Sequence, residues 1–357
     1  MIPVTKTYLP SLDAYQRYLE KIWKNGWLTN RGELVKDLEI QVRESLESVP
    51  VLIMNNGTSP IQIALKMLAK GGEVITTPFS YVATTSSILW ENCTPVFADI
   101  EPSTLTIDPH KIKEKITEKT TCILATHVFG NPCDVDAIAL IAEEYGLSVI
   151  YDAAHCFGVK YKGESVFNYG DISTCSFHAT KVFHTGEGGA LFTASELLFS
   201  EAYQRHNFGH LNTIDIGLVG INAKISELQA AMGLTMLPEM NKILTERKKV
   251  VEYYLQHLVN DDIQCIQLRP ETEWNYSYFP VLFKDENTVL SVLDVLAKRD
   301  IFPRRYFYPS LNQLPYLTHQ SCPISESASS RILCLPLYVG LSESDLNNIV
   351  QSINSVL

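Results

Sequence analysis

The chain has 357 residues, of which 46% are apolar, and its formal net charge at pH 7 is −11. A chain of this length and apolar content can bury a large core, and we expect one large domain with a smaller one beside it. The negative charge argues against a nucleic-acid partner, because phosphate backbones are bound mainly through surplus lysine and arginine. It is compatible with a small anionic ligand, since backbone dipoles can hold a phosphate in an acidic protein.

The cysteines and the N-terminus indicate the compartment. The cysteines are scattered without a CxxC pair, which in a long chain is typical of buried apolar residues in a reduced protein and not of a disulfide or zinc framework. Residues 1–6 lack the apolar core of a signal peptide, and no run of about 18 apolar residues could span a membrane. We therefore expect a cytoplasmic protein with no membrane partner and no metal. The eight cysteines are Cys93, Cys122, Cys133, Cys156, Cys175, Cys265, Cys322 and Cys334.

Short apolar runs alternate with helical patterns from about residue 50 to 200. This alternation with short loops predicts an α/β domain on a mostly parallel sheet, which binds ligands at the carboxyl ends of its strands. Helices are expected at 59–70 and 81–90. Another helix is expected to begin at the Asp108-Pro109 pair, and a fourth to run over Asp134–Tyr145 and end at Gly146. The expected strands are Val51–Met54, Glu73–Thr77, Val96–Ala98, Cys122–Val128, Leu147–Tyr151 and Ala190–Thr193.

The pattern changes after about Leu237. A long helical stretch, Asn241–Leu258, is followed by a strand pattern over Tyr278–Phe283 and a helical pattern over Thr288–Arg299. The sequence therefore predicts two domains. Residues 1–237 would form a large α/β domain that includes the N-terminal segment, and residues 238–357 a smaller C-terminal α+β domain.

A polar turn, Asn56-Gly57-Thr58-Ser59, lies between an expected strand and an expected helix. Glycine lets a ligand approach the backbone closely, free amides at the helix start favour an anion, and two hydroxyls can add hydrogen bonds. The turn therefore suits a phosphate group. A residue that merely caps the helix after a glycine turn explains the same pattern, and for this turn alone that interpretation is favoured.

Asp152 follows an apolar strand, and His155 comes three residues later. A carboxylate in a pocket at a strand end can hold a positive charge on a pyridine nitrogen, which makes the ring an electron sink. His155 could hydrogen-bond an oxygen on the same ring. A helix-capping aspartate beside a histidine satisfied in the core is the alternative, and the two residues alone do not separate these interpretations.

Lys181 is the only lysine between Lys162 and Lys224, and its immediate neighbours are apolar or hydroxylic. A lysine in such surroundings has a depressed pKa and can form imines, although most lysines are solvated surface charges. The turn at 185–190 matches neither a Walker A loop nor a GxGxxG fingerprint, which argues against nucleoside-triphosphate and nicotinamide enzymes. In order, the chain thus offers a phosphate turn, an aromatic residue after a strand, a ring-nitrogen partner and an imine-forming amine.

With these motifs the sequence resembles the DegT/DnrJ/EryC1/StrS sugar aminotransferases, which are pyridoxal 5'-phosphate (PLP) enzymes of fold type I. The resemblance implies that fold, and it runs from about Gly26 to Asn348. The stretches that carry it are 27–32, 56–58, 80–84, 152–155, 176–181, 185–189, 220–224, 305–309 and 335–337.

The resemblance implies a role for each matching residue of the cofactor site. Lys181 would bond the cofactor covalently as an imine and move protons, and Asp152 would pair with the ring nitrogen. Tyr81 would stack on the ring, with His155 near its phenolic oxygen. The phosphate would be held by Gly57, Thr58 and Ser176.

Asn222 would reach the phosphate of the neighbouring subunit's cofactor, so the resemblance also implies a homodimer with shared active sites. Two positions depart from the family. Lys224 stands where the family usually has arginine, and His184 stands where threonine is more frequent. The contribution of that arginine is therefore in doubt for this chain.

Within the family, the segments 27–32 and 184–189 are most similar to enzymes that form dTDP-4-amino-4,6-dideoxy-D-glucose. The resemblance implies transfer of an amino group from L-glutamate to the nucleotide-linked sugar dTDP-4-keto-6-deoxy-D-glucose, with 2-oxoglutarate as co-product, for O-antigen or a related glycan. Lys181 excludes the subgroup of sugar dehydratases that has histidine there. Substrate contacts are expected at Thr29, Asn30, His184, Arg305 and Tyr306.

Other functions remain open at this point. The acceptor could be a C3-keto dTDP-sugar, a UDP-4-ketosugar or scyllo-inosose. A non-catalytic sugar-nucleotide-binding or regulatory protein could share the fold, but a binder needs neither Lys181 nor Asp152. Arg304 and Arg305 offer charge for a diphosphate, and they could equally face solvent or pair with acids. The residue that reads the donor's carboxylate gives no sequence signal.

Overall fold

The structure is a computed structural model that describes residues 1–258 and 262–357. Its strands, in chain order, are β1 (Ile2–Pro3), β2 (Val51–Met54), β3 (Glu73–Thr76), β4 (Thr94–Phe97), β5 (Thr120–Thr126), β6 (Ser148–Asp152), β7 (Lys160–Tyr161), β8 (Glu164–Ser165), β9 (Ile172–Ser176), β10 (Gly189–Phe192), β11 (Ile263–Cys265), β12 (Thr272–Glu273), β13 (Phe279–Phe283), β14 (Ile301–Phe302) and β15 (Ile332–Leu335).

The helices flank these strands on both faces of the main sheet and cover the second one. They are α1 (Leu12–Asn25), α2 (Glu33–Leu46), α3 (Thr58–Leu68), α4 (Val82–Trp90), α5 (Pro109–Lys115), α6 (Val135–Tyr145), α7 (Glu196–Arg205), α8 (Glu227–Met236), α9 (Met240–His257), α10 (Glu286–Ala297), α11 (Pro323–Arg331) and α12 (Glu343–Asn354). Within the described residues, none of them is long and apolar enough to cross a membrane.

The main sheet lies within residues 51–192 and has the strand order β2-β10-β9-β6-β5-β3-β4. Strands β9, β6, β5, β3 and β4 are parallel, and β10 is antiparallel to both of its neighbours. Most residues of these strands are buried, as expected where helices cover both faces of a sheet. The predicted α/β fold with a mostly parallel central sheet flanked by helices is therefore confirmed.

Local signals in the sequence placed several helix ends correctly. Asp108 caps α5 by accepting the backbone N–H of His110, and a proline opens the helix, as predicted. Helix α6 begins after Asp134 and ends at Gly146, whose φ of 65° is a left-handed conformation that favours glycine. Helices α1, α2, α7 and α8 were not predicted, although they pack beneath and around the main sheet.

A second sheet, β11-β13-β15, is antiparallel and lies after residue 262. It packs against α9, α10 and α12 around an apolar core that includes Tyr254, Phe283 and Val292. Two short pairings outside this sheet join the later part of the chain to the first part: Ile2 of β1 pairs with Ile301 of β14, and Thr272 of β12 pairs with Tyr161 of β7. The N-terminal residues therefore contact the C-terminal unit, for which the sequence offered no signal.

Candidate active site

A cavity of about 280 Å³ opens where the carboxyl ends of the parallel strands face the C-terminal unit. It brings together all the predicted cofactor contacts within one chain, and these side chains come from the ends of β2, β3, β6 and β9. A larger open groove of about 720 Å³ lies between α2 and α7, away from these residues. The predicted cofactor residues on the cavity wall are Gly57, Thr58, Tyr81, Asp152, His155, Ser176 and Lys181.

Asp152 is the last residue of β6 and is only 4% exposed. Its Oδ2 accepts a hydrogen bond of 2.7 Å from the Thr84 hydroxyl, and its Oδ1 accepts one of 3.1 Å from the Ala154 backbone N–H. Burial raises the pKa of this carboxyl, while the Thr84 hydrogen bond opposes the shift. A buried carboxylate held in this way is suited to a cationic partner in the cavity.

Lys181 follows β9, the neighbour of β6 in the main sheet, and lines the same cavity as Asp152. Its Nζ lies 5.8 Å from the centre of the Tyr278 ring, within the range of a cation–π contact. Burial lowers the pKa of this lysine, and the charge of Asp152 partly opposes the shift. The result is an amine that loses its proton more easily than a surface lysine does, which is what imine chemistry requires.

His155 lies beneath the cavity between aromatic rings. Its Nδ1 accepts a hydrogen bond of 3.1 Å from the backbone N–H of Phe129, so its proton lies on Nε2. Burial, followed by the charge of Lys181, holds the pKa of the imidazole well below its usual value. The ring is therefore neutral and can donate one hydrogen bond to an oxygen in the cavity.

The turn at the start of α3 differs from the expectation in one respect. The side-chain oxygen of Asn56 accepts the backbone N–H groups of Thr58 and Ser59, both at 2.8 Å, so these amides are not free. An asparagine before a helix caps it in this way, and a bound phosphate would have to share or replace that oxygen.

The same turn nevertheless forms a narrow cradle. A Cβ on Gly57 would lie 2.8 Å from the Cβ of Ser176, so only glycine lets the two segments approach this closely. The hydroxyls of Thr58 and Ser176 face the cavity beside it. Half-exposed Tyr81 stands at the cavity edge as the N-terminal cap residue of α4. PLP fits this set of groups, which consists of the turn at Gly57, the ring of Tyr81, the carboxylate of Asp152 and the amine of Lys181.

Several predicted substrate contacts lie outside this cavity. Thr29 and Asn30 are exposed on the loop before α2. His184 is buried, and its Nε2 bonds to the backbone oxygen of Tyr8 at 2.7 Å while its Nδ1 accepts the N–H of Gly186. This bonding gives His184 a structural contact behind the site.

The two neighbouring arginines have different surroundings. The Nη2 of Arg305 donates to Glu286 at 2.7 Å and to the backbone oxygen of Ser330, so it pairs with an acid away from the cavity. Arg304 and Tyr306 line the cavity instead. Asn222 is exposed, and its own chain's cavity does not include its side chain.

Two other features of the cavity wall were not expected from the sequence. The ring of Tyr278 lies near Lys181 and packs against His155 with ring centres 4.9 Å apart. His178 and Glu187 form a pair, with Nε2 and Oε1 separated by 3.6 Å. His178 and Glu187 lie inside motifs that had been recognised. Tyr278 belonged to an apolar strand pattern, and nothing in that pattern indicated that its ring would reach the lysine.

The fold and the site thus define a transaminase-type centre, and comparison with known proteins gives the family. The chain belongs to the DegT/DnrJ/EryC1/StrS aminotransferase family, whose model matches residues 12–354. It is 40% identical to dTDP-4-amino-4,6-dideoxy-D-glucose transaminase of Shigella dysenteriae, over 99% of this chain and 98% of that enzyme. The enzyme of the same name from Escherichia coli is 39% identical, over 96% of this chain and 95% of its own.

A solved structure supports the same family assignment. The chain superposes with a TM-score of 0.93 on DesI, which was crystallised in the presence of its TDP-sugar product. The two sequences are 30% identical, and the match covers 99% of this chain and 92% of that one. The predicted family, fold and aminotransferase class are therefore confirmed.

Proposed function

We propose that the chain is a PLP-dependent aminotransferase that moves the amino group of L-glutamate to C4 of dTDP-4-keto-6-deoxy-D-glucose. The products are dTDP-4-amino-4,6-dideoxy-D-glucose and 2-oxoglutarate. The observation that carries this proposal is that half-buried Lys181 and buried Asp152 line one cavity. The choice of sugar is supported by the names of the relatives at 39% and 40% identity, which cover nearly the whole chain.

The residues present account for how PLP would be held. The Gly57 cradle and the hydroxyls of Thr58 and Ser176 would take the phosphate, and Tyr81 would cover one face of the ring. When bound, PLP carries the amino group between the two substrates and accepts electron density from the carbon that loses its proton. Holding the ring so that its nitrogen meets Asp152 requires a rigid site, and the ends of neighbouring strands supply one.

Three side chains would then control protons. The Asp152 carboxylate would hold a proton on the ring nitrogen by its charge, because a buried anion strongly favours a cationic neighbour. The Nζ of Lys181, with its lowered pKa, would take a proton from Cα of the donor and deliver one to C4 of the sugar. His155, with its proton on Nε2, would donate to the ring oxygen and stay neutral.

Replacement of Lys181 tests the assignment of the cofactor. Purified protein should be yellow, and Lys181→Ala should still bind PLP but lose multiple turnover, because Lys181 is the one lysine among the described residues that line the cavity. Lys162→Ala, which removes a lysine outside the cavity, is the matched control and should keep its activity. Substantial multiple turnover by Lys181→Ala would refute the role of this lysine.

The acceptor is tested by product analysis. Protein incubated with L-glutamate should aminate the 4-keto sugar, with the new C–N bond assigned to C4 by NMR. Parallel incubations contain the 3-keto isomer, a UDP-4-ketosugar or scyllo-inosose. Turnover with only one of these alternative acceptors would leave the assignment as an aminotransferase intact and refute the proposed sugar. Sugar binding without any amination would instead support a non-catalytic binding protein.

A homodimer with shared sites belongs to the same proposal. The loop before Asn222 exposes a run of large apolar side chains, and an exposed patch of this kind typically marks an interface with another protein. Asn222 lies at the end of that loop, is exposed and is not among the residues that line its own chain's cavity, so a second copy is the partner we infer. The exposed apolar residues are Phe208, Leu211, Ile214, Ile216, Val219 and Ile221.

The division into domains is likewise an inference. We propose that residues 1–237 and 238–357 form two domains, which is supported by the main sheet within the first part and the sheet β11-β13-β15 within the second, each packed on an apolar core of its own. Arg304 and Tyr306 come from the second unit, whereas Lys181 and Asp152 come from the first. The cavity would then lie between the domains, where a substrate contacts both.

A further inference from the structure

Arg304 is the feature of the cavity that the proposed function leaves unused. Its guanidinium carbon lies 4.5 Å from the centre of the Tyr306 ring, a stacked arrangement that limits its freedom. Its backbone is fixed as well, since its N–H and C=O both bond to Cys334 of β15, at 3.1 and 2.8 Å. Both the main chain and the side chain of this arginine are therefore held at the cavity.

No acid neutralises this cation among the residues that the structure describes. The ion pairs within 4.0 Å do not include Arg304, and no side-chain hydrogen bond of its guanidinium occurs among residues 1–258 and 262–357. Arg305 provides the contrast, because Glu286 pairs with it at 2.7 Å. Of two adjacent arginines, one is neutralised away from the cavity, and the other keeps its charge and its hydrogen-bond donors at the cavity.

The position of Arg304 relative to Lys181 shows which part of a substrate it can meet. The lysine Nζ lies over the Tyr278 ring, and Tyr278 packs edge-on against Tyr306 with ring centres 5.5 Å apart. Arg304 stacks on that second ring and is exposed at the mouth of the cavity. The guanidinium is thus linked to the amine through two successive ring contacts, first Tyr278 and then Tyr306.

We propose that Arg304, braced by Tyr306, binds the diphosphate of the nucleotide-sugar acceptor. The inference rests on the proposed function and names the residue that anchors its acceptor. In a sugar aminated at C4, the diphosphate on C1 lies across the whole sugar ring from the reacting carbon, which matches a cation set back from Lys181. The α-carboxylate of the amino-acid donor is attached to the reacting carbon itself and must lie beside the lysine.

The chemistry of the group agrees with this assignment. A guanidinium presents a planar fork of donors that matches two phosphate oxygens, and it is less strongly hydrated than an ammonium. Since dTDP, UDP and GDP share the diphosphate, Arg304 strengthens binding of all of them and does not choose the base. It therefore sets the affinity for the acceptor class and leaves the affinity for the donor unchanged.

The proposal is tested by measuring the equilibrium binding of dTDP and of UDP by calorimetry on the PLP-loaded protein, without turnover. Arg304→Gln should weaken the binding of both nucleotides by roughly 10- to 100-fold, which is the loss expected for a charge-assisted hydrogen bond. Arg304→Lys should restore part of the lost affinity. The KM for the keto-sugar should rise while the KM for L-glutamate and kcat stay nearly constant. Arg299→Gln, which removes an exposed arginine outside the cavity, is the control.

Two results would overturn the assignment. One is dTDP binding by Arg304→Gln that stays within threefold of the parent protein. The other is a rise in the KM for L-glutamate as large as that for the keto-sugar, which would make Arg304 a reader of the donor. Because dTDP binding needs no catalysis, failure of the proposed amination leaves this test intact, and failure of this test leaves the amination intact.

Discussion

Replacing Asp152 by asparagine tests whether its carboxylate acts in catalysis or only maintains the local structure. The change preserves shape, so the Thr84 hydroxyl and the Ala154 N–H still meet a side chain of the same size. It removes the negative charge. We expect turnover to fall by about 10²- to 10³-fold, the usual effect of deleting one electrostatic contact that stabilises the transition state.

The stability of the protein without cofactor should respond in a different way. Because burial raises the folded-state pKa of Asp152, the folded protein holds this proton more tightly than the unfolded chain does. The ionised group therefore costs stability, and the cost grows as pH rises above 3.8 and through the folded pKa. Asparagine carries no such cost. At pH 7 the Asp152→Asn apoprotein should be at least as stable as the parent, apart from about 1 kcal/mol for imperfect hydrogen bonding.

The assay combines steady-state turnover with thermal unfolding of the apoprotein between pH 5 and 8. Asp99→Asn is a matched control, since Asp99 is also buried but bonds to the backbone N–H groups of Ile324 and Ser325, outside the cavity. It should lose stability and keep its turnover. Near-normal turnover by Asp152→Asn, or a large loss of stability at pH 7, would make Asp152 a cap for its turn and refute the reasoning.

Two further predictions concern assembly and the loop before α2. Mixing inactive Lys181→Ala and Asn222→Ala subunits should restore activity, because one of the two sites in a heterodimer regains both residues. Failure of the two variants to complement each other, or an active monomer in sedimentation, would argue against shared sites. Buried Glu227 accepts the backbone N–H groups of Leu34 and Val35 at the start of α2, so Glu227→Gln should cost about 2 kcal/mol of unfolding free energy, measured by denaturation. An unchanged stability would show that these amides find other partners.

The parts of the fold that the sequence predicted are those with strong local signals. Strand β2 and helix α6 were recognised because an apolar run or an Asp and Gly pair marks each of them without reference to the rest of the chain. Helix α2 escaped recognition since its start has no local signal. Gly32 caps it without a side-chain bond, and the missing partner is Glu227, nearly two hundred residues away.

The candidate site divides in the same way. Lys181 and Asp152 were predicted from the order of the motifs along the chain and from the family resemblance, because each residue alone left a structural interpretation open. Tyr278 was not assigned, and Arg304 was offered to a diphosphate only together with Arg305, since their surroundings depend on distances between separate segments. Which of Arg304 and Arg305 faces the cavity could not be predicted, because the decision depends on Glu286, a residue that precedes them by almost twenty positions.

The two groups proposed to be catalytic, Asp152 and Lys181, are held in surroundings that favour their neutral forms. Burial raises the pKa of Asp152 and lowers that of Lys181, and each opposes the other's shift only in part. A protein selected only for stability would not retain such a pair, because two apolar residues of the same size would pack there without the cost. The pair makes sense when a cation is bound between them and a neutral amine is needed beside it. Arg304 differs from both, since it is exposed at the mouth of the cavity. We therefore propose that Lys181 and Asp152 serve the reaction and that the exposed arginine serves capture of the substrate.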